Sequence, residues 1–262
     1  MNPSVKKKRV IHQYREGQFT CKTDEVVEEF PLTVIVNGEE FVTLVCSPDH
    51  LKELVIGFLA SEGVIRFENE IKRFTIDESM GFAYVDLVHP SGFQSSDFTK
   101  RVIGSCCGKG RHFYFLQDVK TAKTAIDRIN ISAETCMHLM KCLQEESQLF
   151  QHTGGVHNAG LCDTEKLFIT RTDIGRHNAL DKIYGYCLLH RIPLRDKILV
   201  FSGRISSEVL LKAAKLGVSI VISKSAPTEL ALNMAEELNI TTVGFVRGKS
   251  FNIYTHHQRI TE

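Results

Sequence analysis

The sequence predicts an α/β protein: a C-terminal α/β domain built on a parallel sheet, preceded by a smaller α+β module. Three observations carry this. From about residue 153 onward, short apolar runs such as Val218–Ile222 alternate with helix-length amphipathic runs, the pattern of right-handed βαβ units. Upstream, Leu32, Val34 and Val36 alternate before Asn37-Gly38, and Phe41, Leu44 and Val45 return after it. Asn-Gly between apolar strands marks a tight hairpin, because both turn positions need positive φ. Between the two halves lies Gly104-Ser105-Cys106-Cys107-Gly108-Lys109-Gly110-Arg111, a small-residue loop with two adjacent thiols.

In chain order, residues 1–25 are polar and charged and are expected to form a flexible, irregular arm. Residues 26–111 make the α+β module, which ends in the cysteine loop. After the Phe30–Cys46 hairpin, Ser47 has the chemistry of a helix N-cap, Pro48 suits a first turn and Asp49 complements the helix dipole. Leu51, Leu54, Val55, Phe58 and Leu59 repeat at helical spacing, and Gly63 ends that helix. Residues 71–76 and 82–89 read as a second strand pair. Residues 112–262 make the C-terminal domain. Ser132 opens a helix to about Phe150, with Cys136, Leu139, Met140, Leu143 and Leu149 on or near its apolar side, and Cys136 and Cys142 read as packing. Thr153–Gly160 reads as a small-residue loop. Strands are expected at 167–170, 197–202, 218–223 and 241–246, with helices at 175–190, 206–216 and 227–238, and 251–255 can add an edge strand.

Composition narrows the function classes. The formal net charge is +1, so nothing global points to nucleic acid or to a membrane surface. No run is long and apolar enough to span a bilayer. Lys6–Arg9 resembles the basic start of a signal peptide, but Gln13, Arg15, Glu16 and Gln18 rule out an apolar run after it, so no secretory signal is expected. The eight cysteines are scattered through strands and helices instead of framing a small scaffold, which points to a reducing compartment and to the cytoplasm.

The chemistry-bearing residues gather where an α/β sheet places its ligands, beyond the carboxyl ends of the strands. Arg171–Asn178, Gly203–Glu208, Ser223–Thr228 and Arg247–Ser250 are rich in Ser, Thr, Gly and basic residues, and three of them run into a helix. Asp173, Ser206 and Ser225 each suit ordinary capping, but four such loops on one rim favour an anionic, nucleotide-bearing ligand. Arg176, Arg204, Arg247 and Lys249 are the expected anion contacts; His157 and His177 are weaker candidates. In the cysteine loop, Lys109 and Arg111 favour the thiolate of Cys106 or Cys107; the same loop is compatible with two half-buried packing thiols. Gly-x-Gly-x-x-Gly and Walker A patterns are absent, which disfavours a standard dinucleotide or P-loop site. Zinc is not expected: Cys106-Cys107 are too close for a Cys-x-x-Cys chelate. The start of the zinc-deaminase signature, at His157-Asn158-Ala159, lacks its glutamate.

Several motifs then occur in one order: Ser47-Pro48, Gly57-Phe58, Ser61-Glu62-Gly63, the cysteine loop, Thr153-Gly154-Gly155 with His157, Asp173–Lys182, Ser202-Gly203-Arg204, Ser225–Thr228, Val243-Gly244-Phe245 and Tyr254-Thr255-His256. Together they resemble the FdhD/NarQ family, the formate dehydrogenase accessory sulfurtransferases, over roughly residues 25–260. Asp173–Lys182 is the most specific part. The resemblance implies a cytidine-deaminase-like C-terminal domain without zinc. It implies a sulfur carrier loaded with persulfide by a cysteine desulfurase, which passes that sulfur to the bis(molybdopterin guanine dinucleotide) molybdenum cofactor for formate dehydrogenase. It also implies that a guanine nucleotide end, GDP-like, binds at Phe245, Val246, Arg247, Gly248, Lys249 and Ser250. The family pattern Cys-Gly-x-Cys-Gly is replaced here by Cys106-Cys107-Gly108-Lys109-Gly110. Alignment on the first cysteine selects Cys106, and alignment on the Cys-Gly step selects Cys107. A vicinal pair also offers a relay from one thiol to the other. The sequence leaves a homodimer open. Two other classes stand beside the carrier: a cofactor-binding chaperone without sulfur transfer, and a metal-free hydrolase.

Overall fold

The structure, a computed structural model, describes residues 4–89, 101–103, 122–126 and 129–262. Strands β1 (Lys6–Arg15) and β2 (Gln18–Val27) form an antiparallel hairpin, so the expected irregular arm is corrected. Glu16 and Gly17 both have positive φ and close a two-residue turn of the hairpin-favouring kind. Exposed Val10, Tyr14 and Phe19 supply the alternation that polar neighbours hid.

Next comes a five-stranded sheet, in the order β5-β6-β3-β4-β7, built from β3 (Phe30–Val36), β4 (Glu39–Cys46), β5 (Ile71–Asp77), β6 (Phe82–Leu87) and β7 (Arg101–Ile103). The Asn37-Gly38 hairpin and the second strand pair are where the sequence predicts them. Helix α1 (Leu51–Ser61) covers one face, with Leu54, Val55 and Leu59 fully buried, each contributing about 1.5–3 kcal/mol. Its N-cap is His50, in the left-handed region and without a side-chain cap bond, and not Ser47.

The second sheet has six strands in the order β10-β9-β11-β12-β13-β14: β9 (His157–Cys162), β10 (Leu167–Asp173), β11 (Ile198–Phe201), β12 (Ile220–Ser223), β13 (Thr241–Arg247) and β14 (Ser250–Thr255). Its centre, β11-β12-β13, is parallel as expected. The whole is mixed, because β9 pairs antiparallel with both β10 and β11, and β14 is an antiparallel edge. The sequence hides β9 because His, Asn, Ala and Gly read as loop. A short parallel pair, β8 (Ile131–Ser132) and β15 (Ile260–Thr261), completes the sheets among the described residues.

Residues of β11 alternate between two cores: Ile198 and Val200 pack on α2 (Ala133–Glu145), while Leu199 and Phe201 face α4 (Arg176–Leu189), α5 (Ser207–Leu216) and α6 (Glu229–Glu237). The predicted helix to Phe150 is two helices, because the chain breaks at Ser147 before α3 (Gln148–Thr153). Ser132 does cap α2, accepting from the Thr135 amide at 3.0 Å, and Ser206 caps α5. The layers run five-stranded sheet, α1, the α4–α6 layer, six-stranded sheet, α2. One hydrophobic cluster joins Leu32, Leu54 and Leu59 to Leu180, Ile183 and Phe201, so the core is continuous from the first module into the second.

Four thiols belong to this interior: Cys46, Cys136, Cys162 and Cys187. Burial pushes all four upward, Cys136 and Cys187 to about 12. A group whose folded pKa is raised supports folding while it stays protonated. Stability is therefore expected to fall once pH passes the free-thiol value of about 8.5, by roughly 1 kcal/mol per thiol over the next unit. Urea midpoints at about pH 8 and about pH 9.5 check this; equal midpoints would contradict it.

Candidate functional site

The strand directions gather one rim. Strands β10, β11, β12 and β13 end on it, and β9 begins there, because Asp173 pairs in register with His157. The four polar loops therefore do share one edge of the sheet. Two of them also bond to each other: Ile205 N donates to the Ala226 carbonyl and Thr228 N to the Ile205 carbonyl. Ser223 Oγ donates to the Gly203 carbonyl at 2.7 Å and accepts from the Ser225 amide at 3.0 Å. Ser225 is thus a loop residue, and the N-cap of α6 is Thr228.

At one end of the rim lies a joint between the two modules. Asp173 is fully buried at the end of β10. Its carboxylate accepts from Ser47 N at 3.1 Å, Gly175 N at 2.8 Å and Asn178 Nδ2 at 2.9 Å. It also pairs with the fully buried Lys182 ammonium at 2.8 Å. Lys182 reaches Asp49 at 2.7 Å and the Thr172 carbonyl at 3.1 Å as well. Asn178 Nδ2 donates to the Val45 carbonyl, and Ile174 N to Ser47 Oγ. Ser47, Asp49 and Asp173 are thus joint residues and not caps. Burial pushes the Asp173 carboxyl up, against Lys182 and its other donors. Burial pulls Lys182 down, but Asp173 and Asp49 outweigh it and hold the ammonium above the ordinary lysine value. The ionised pair is the state the geometry describes, because one carboxylate accepts from three N–H groups and the ammonium together. Beside the joint, Arg171 grips Glu53 through two bonds, at 2.5 and 2.7 Å, and lies over the Tyr186 ring at 5.0 Å.

Next along the rim is a cluster of His157, Arg176 and His177. Asn158 is clamped at the head of β9: its amide donates to Ser202 Oγ at 2.9 Å, its carbonyl accepts from Ser202 N at 3.0 Å, and its side-chain oxygen accepts from Thr172 Oγ1 at 3.0 Å. A Cβ on Gly203 would come within 3.3 Å of His157 Nδ1. Burial, then the charges of Arg176 and His177, lower the His157 pKa. His177 Nε2 lies 2.9 Å from Glu208 Oε2, a charge contact without hydrogen-bond angles. Arg204 is exposed in the same loop system.

At the other end is the β13–β14 turn, which holds the predicted nucleotide segment. Phe245 has φ 55°, in the left-handed region, and its ring is 38% exposed. A non-glycine residue held there costs about 1–3 kcal/mol, and such strain clusters at functional sites. Its amide donates to the Ser225 carbonyl at 3.2 Å, and Arg247 lies 5.7 Å from its ring centroid. Arg247, Gly248, Lys249 and Ser250 are exposed, with Gly248 at φ 56°. Val246 is buried in the α2-side core, so its side chain packs inward. The rim carries His157 on β9 with Arg176 and His177 after β10, and Phe245 and Arg247 on β13 with Lys249 just beyond; β9 and β13 are three strand spacings apart, about 14 Å.

Cys106 and Cys107, with Lys109 and Arg111, lie outside the described residues. Strand β7 ends at Ile103, paired with Leu44, three residues before Ser47 of the joint. Of the described cysteines, Cys21 is exposed on β2 and Cys142 is half-buried, 3.4 Å from His138 Nε2; Cys142 is therefore not the interior packing residue that the sequence suggests. Among the described residues no His, Cys, Asp and Glu side chains gather as a metal-binding group, and no described helix is long and apolar enough to cross a membrane.

Residues 27–261 match the FdhD/NarQ family. The sulfur carrier protein FdhD of Bacillus pumilus (strain SAFR-032) is 97% identical over 262 residues, covering 100% of both chains. That of Bacillus subtilis (strain 168) is 71% identical over 262 residues, again covering 100% of both. A crystal structure from Desulfotalea psychrophila, described as a formate dehydrogenase accessory protein, superposes with a TM-score of 0.79 at 23% identity; the match covers 98% of this chain and 100% of that one, and the fold is shared.

Proposed function

Because the chain belongs to the FdhD/NarQ family, we propose that it is a sulfur carrier: it takes persulfide sulfur from a cysteine desulfurase and passes it to the bis(molybdopterin guanine dinucleotide) molybdenum cofactor for formate dehydrogenase. The thiolate of Cys106 or Cys107 attacks the outer sulfur of the donor persulfide. The donor S–S bond breaks, the donor leaves as a thiol, and the carrier holds the new persulfide. The rim holds the nucleotide end, so affinity comes from parts remote from the reacting sulfur.

The observation that carries the reading within the fold is the Phe245 turn. A strained backbone offers an exposed aromatic face with Arg247 over it and Lys249 beside it, which suits a guanine ring and its phosphates. The interior thiols add support by elimination, since Cys46, Cys136, Cys162 and Cys187 are held protonated by burial and the thiolate is the reactive form. A cytoplasmic location and a cytidine-deaminase-like ancestry of the six-stranded sheet belong to the same proposal.

Incubation with a desulfurase and cysteine, followed by mass spectrometry, tests it. A gain of ~32 Da, one sulfur as in a persulfide cap, is expected on a Cys106–Cys107 peptide, and Cys106→Ala or Cys107→Ala should abolish it. GDP binding with no adduct in the wild type would replace the carrier by a cofactor-binding chaperone.

A further inference from the structure

We propose that Lys224 reads the second phosphate of the bound nucleotide, so that this rim prefers a nucleoside diphosphate to a monophosphate. The inference rests on the nucleotide-binding part of the sulfur-carrier reading and adds a specificity-determining residue to it.

Lys224 follows β12, the strand between β11 and β13, at the carboxyl end where such sheets place ligands. Its backbone is held on both sides. Lys224 N donates to the Phe201 carbonyl at 3.2 Å, and the carbonyl of the next residue, Ser225, accepts from Phe245 N at 3.2 Å. The second bond ties the neighbour of Lys224 to the turn that carries the Phe245 ring. Glycine at 244 permits this approach: a Cβ there would lie 3.1 Å from both the Ser225 carbonyl oxygen and Pro227 Cδ.

The Lys224 side chain is half-buried, and among the described residues its ammonium has no hydrogen bond and no carboxylate partner. Other lysines drawn toward the interior are engaged: Lys182 by Asp173 and Asp49, Lys212 by Asp181, and Lys215 by the Ser61 carbonyl. A partly desolvated cation without a counter-charge costs free energy, and an anionic ligand removes that cost. Phosphate oxygens suit it, because an ammonium binds them as a compact point charge.

Order along the rim assigns the phosphate. Phe245 and Arg247 belong to β13 and Lys249 lies just beyond, so this turn takes the base and the phosphate next to the ribose. Lys224 is one strand, about 4.8 Å, further along the rim. A nucleotide whose base lies on Phe245 therefore extends its phosphates toward Lys224, where the second one meets an ammonium that no described residue holds. A monophosphate ends at the turn and leaves Lys224 unpaired.

Isothermal titration of the full-length protein with GDP, GMP and guanosine tests this. The wild type is expected to bind GDP about 10-fold or more tighter than GMP, the strength of one hydrogen bond between charged groups. Lys224→Met should remove that preference, weakening GDP about 10-fold while GMP and guanosine keep their wild-type affinities, and Lys224→Arg should retain it. The melting temperature of Lys224→Met should not fall, because the ammonium has no partner to lose. Equal wild-type affinity for GDP and GMP, an equal loss for all three ligands in Lys224→Met, or a lowered melting temperature overturns the proposal. If the wild type binds none of the three, the nucleotide reading falls and Lys224 with it; if the wild type binds GDP and Lys224→Met binds it equally, only the role of Lys224 falls.

Discussion

Lys182→Met is expected to destabilise the protein by about 3–5 kcal/mol, the cost of breaking one side of a buried ion pair. The methionine fills the space of the lysine stem. It leaves Asp173 without its counter-charge in a fully buried position and removes the donor that Asp49 and the Thr172 carbonyl share. The double variant Lys182→Met with Asp173→Asn should recover part of the loss, because removing both charges also removes the uncompensated one. Urea denaturation of the three proteins measures this. A single variant within about 0.5 kcal/mol of the wild type would show that the joint contributes no more than a surface pair does. The consequence reaches the rim, since the joint anchors the start of α4, which carries Arg176 and His177.

That joint also shows where the sequence is readable and where it is not. Ser47-Pro48-Asp49 has every local feature of a helix start, and a helix does start at Leu51. The Ser47 and Asp49 side chains nonetheless serve partners more than a hundred residues away, at Ile174 and Lys182, and the Ser47 amide donates to Asp173. Local capping chemistry and long-range polar bonding use the same atoms, so one sequence cannot separate them. The Asp173–Lys182 run carries the family likeness, yet Asp173, Asn178, Asp181 and Lys182 are interior; only Arg176 and His177 of its polar side chains stand toward the rim cluster. Its specificity as a motif reflects a joint as much as a ligand site. Periodicity did expose the parallel strands and the Asn37-Gly38 hairpin, because alternation and positive-φ turns are local physics. It failed on β9, whose pairing on both sides compensates a glycine-containing, weakly β-forming sequence. It failed on the first hairpin too, although Gly17 marked the turn.

Gly57→Ala and Gly185→Ala set two effects of opposite sign against each other. In an exposed helix, alanine in place of glycine stabilises by about 1 kcal/mol, and neither residue needs a positive φ. Helices α1 and α4, however, cross through these two glycines. A Cβ on Gly57 would overlap the Asp181 carbonyl, and one on Gly185 would overlap the Glu53 carbonyl. Those obstacles are backbone, with no flexible tip to swing aside, so space wins over propensity. Each variant is expected to lose about 2–3 kcal/mol, at the upper end of overpacking costs. A displaced α1 would also pull Glu53 from Arg171 and Ser61 from Asp181, so both variants should loosen the modules against each other. Gly154→Ala is the control: its φ is +65° with nothing within 4 Å of a built Cβ, so only backbone strain of about 1–2 kcal/mol applies. Hydrogen exchange should then show added opening along α1 and α4 for the first two variants and near Gly154 alone for the third. A Gly57→Ala protein as stable as the wild type, with unchanged exchange in α4, would mean that the two helices can part without cost and that the continuous core does not tie the modules together.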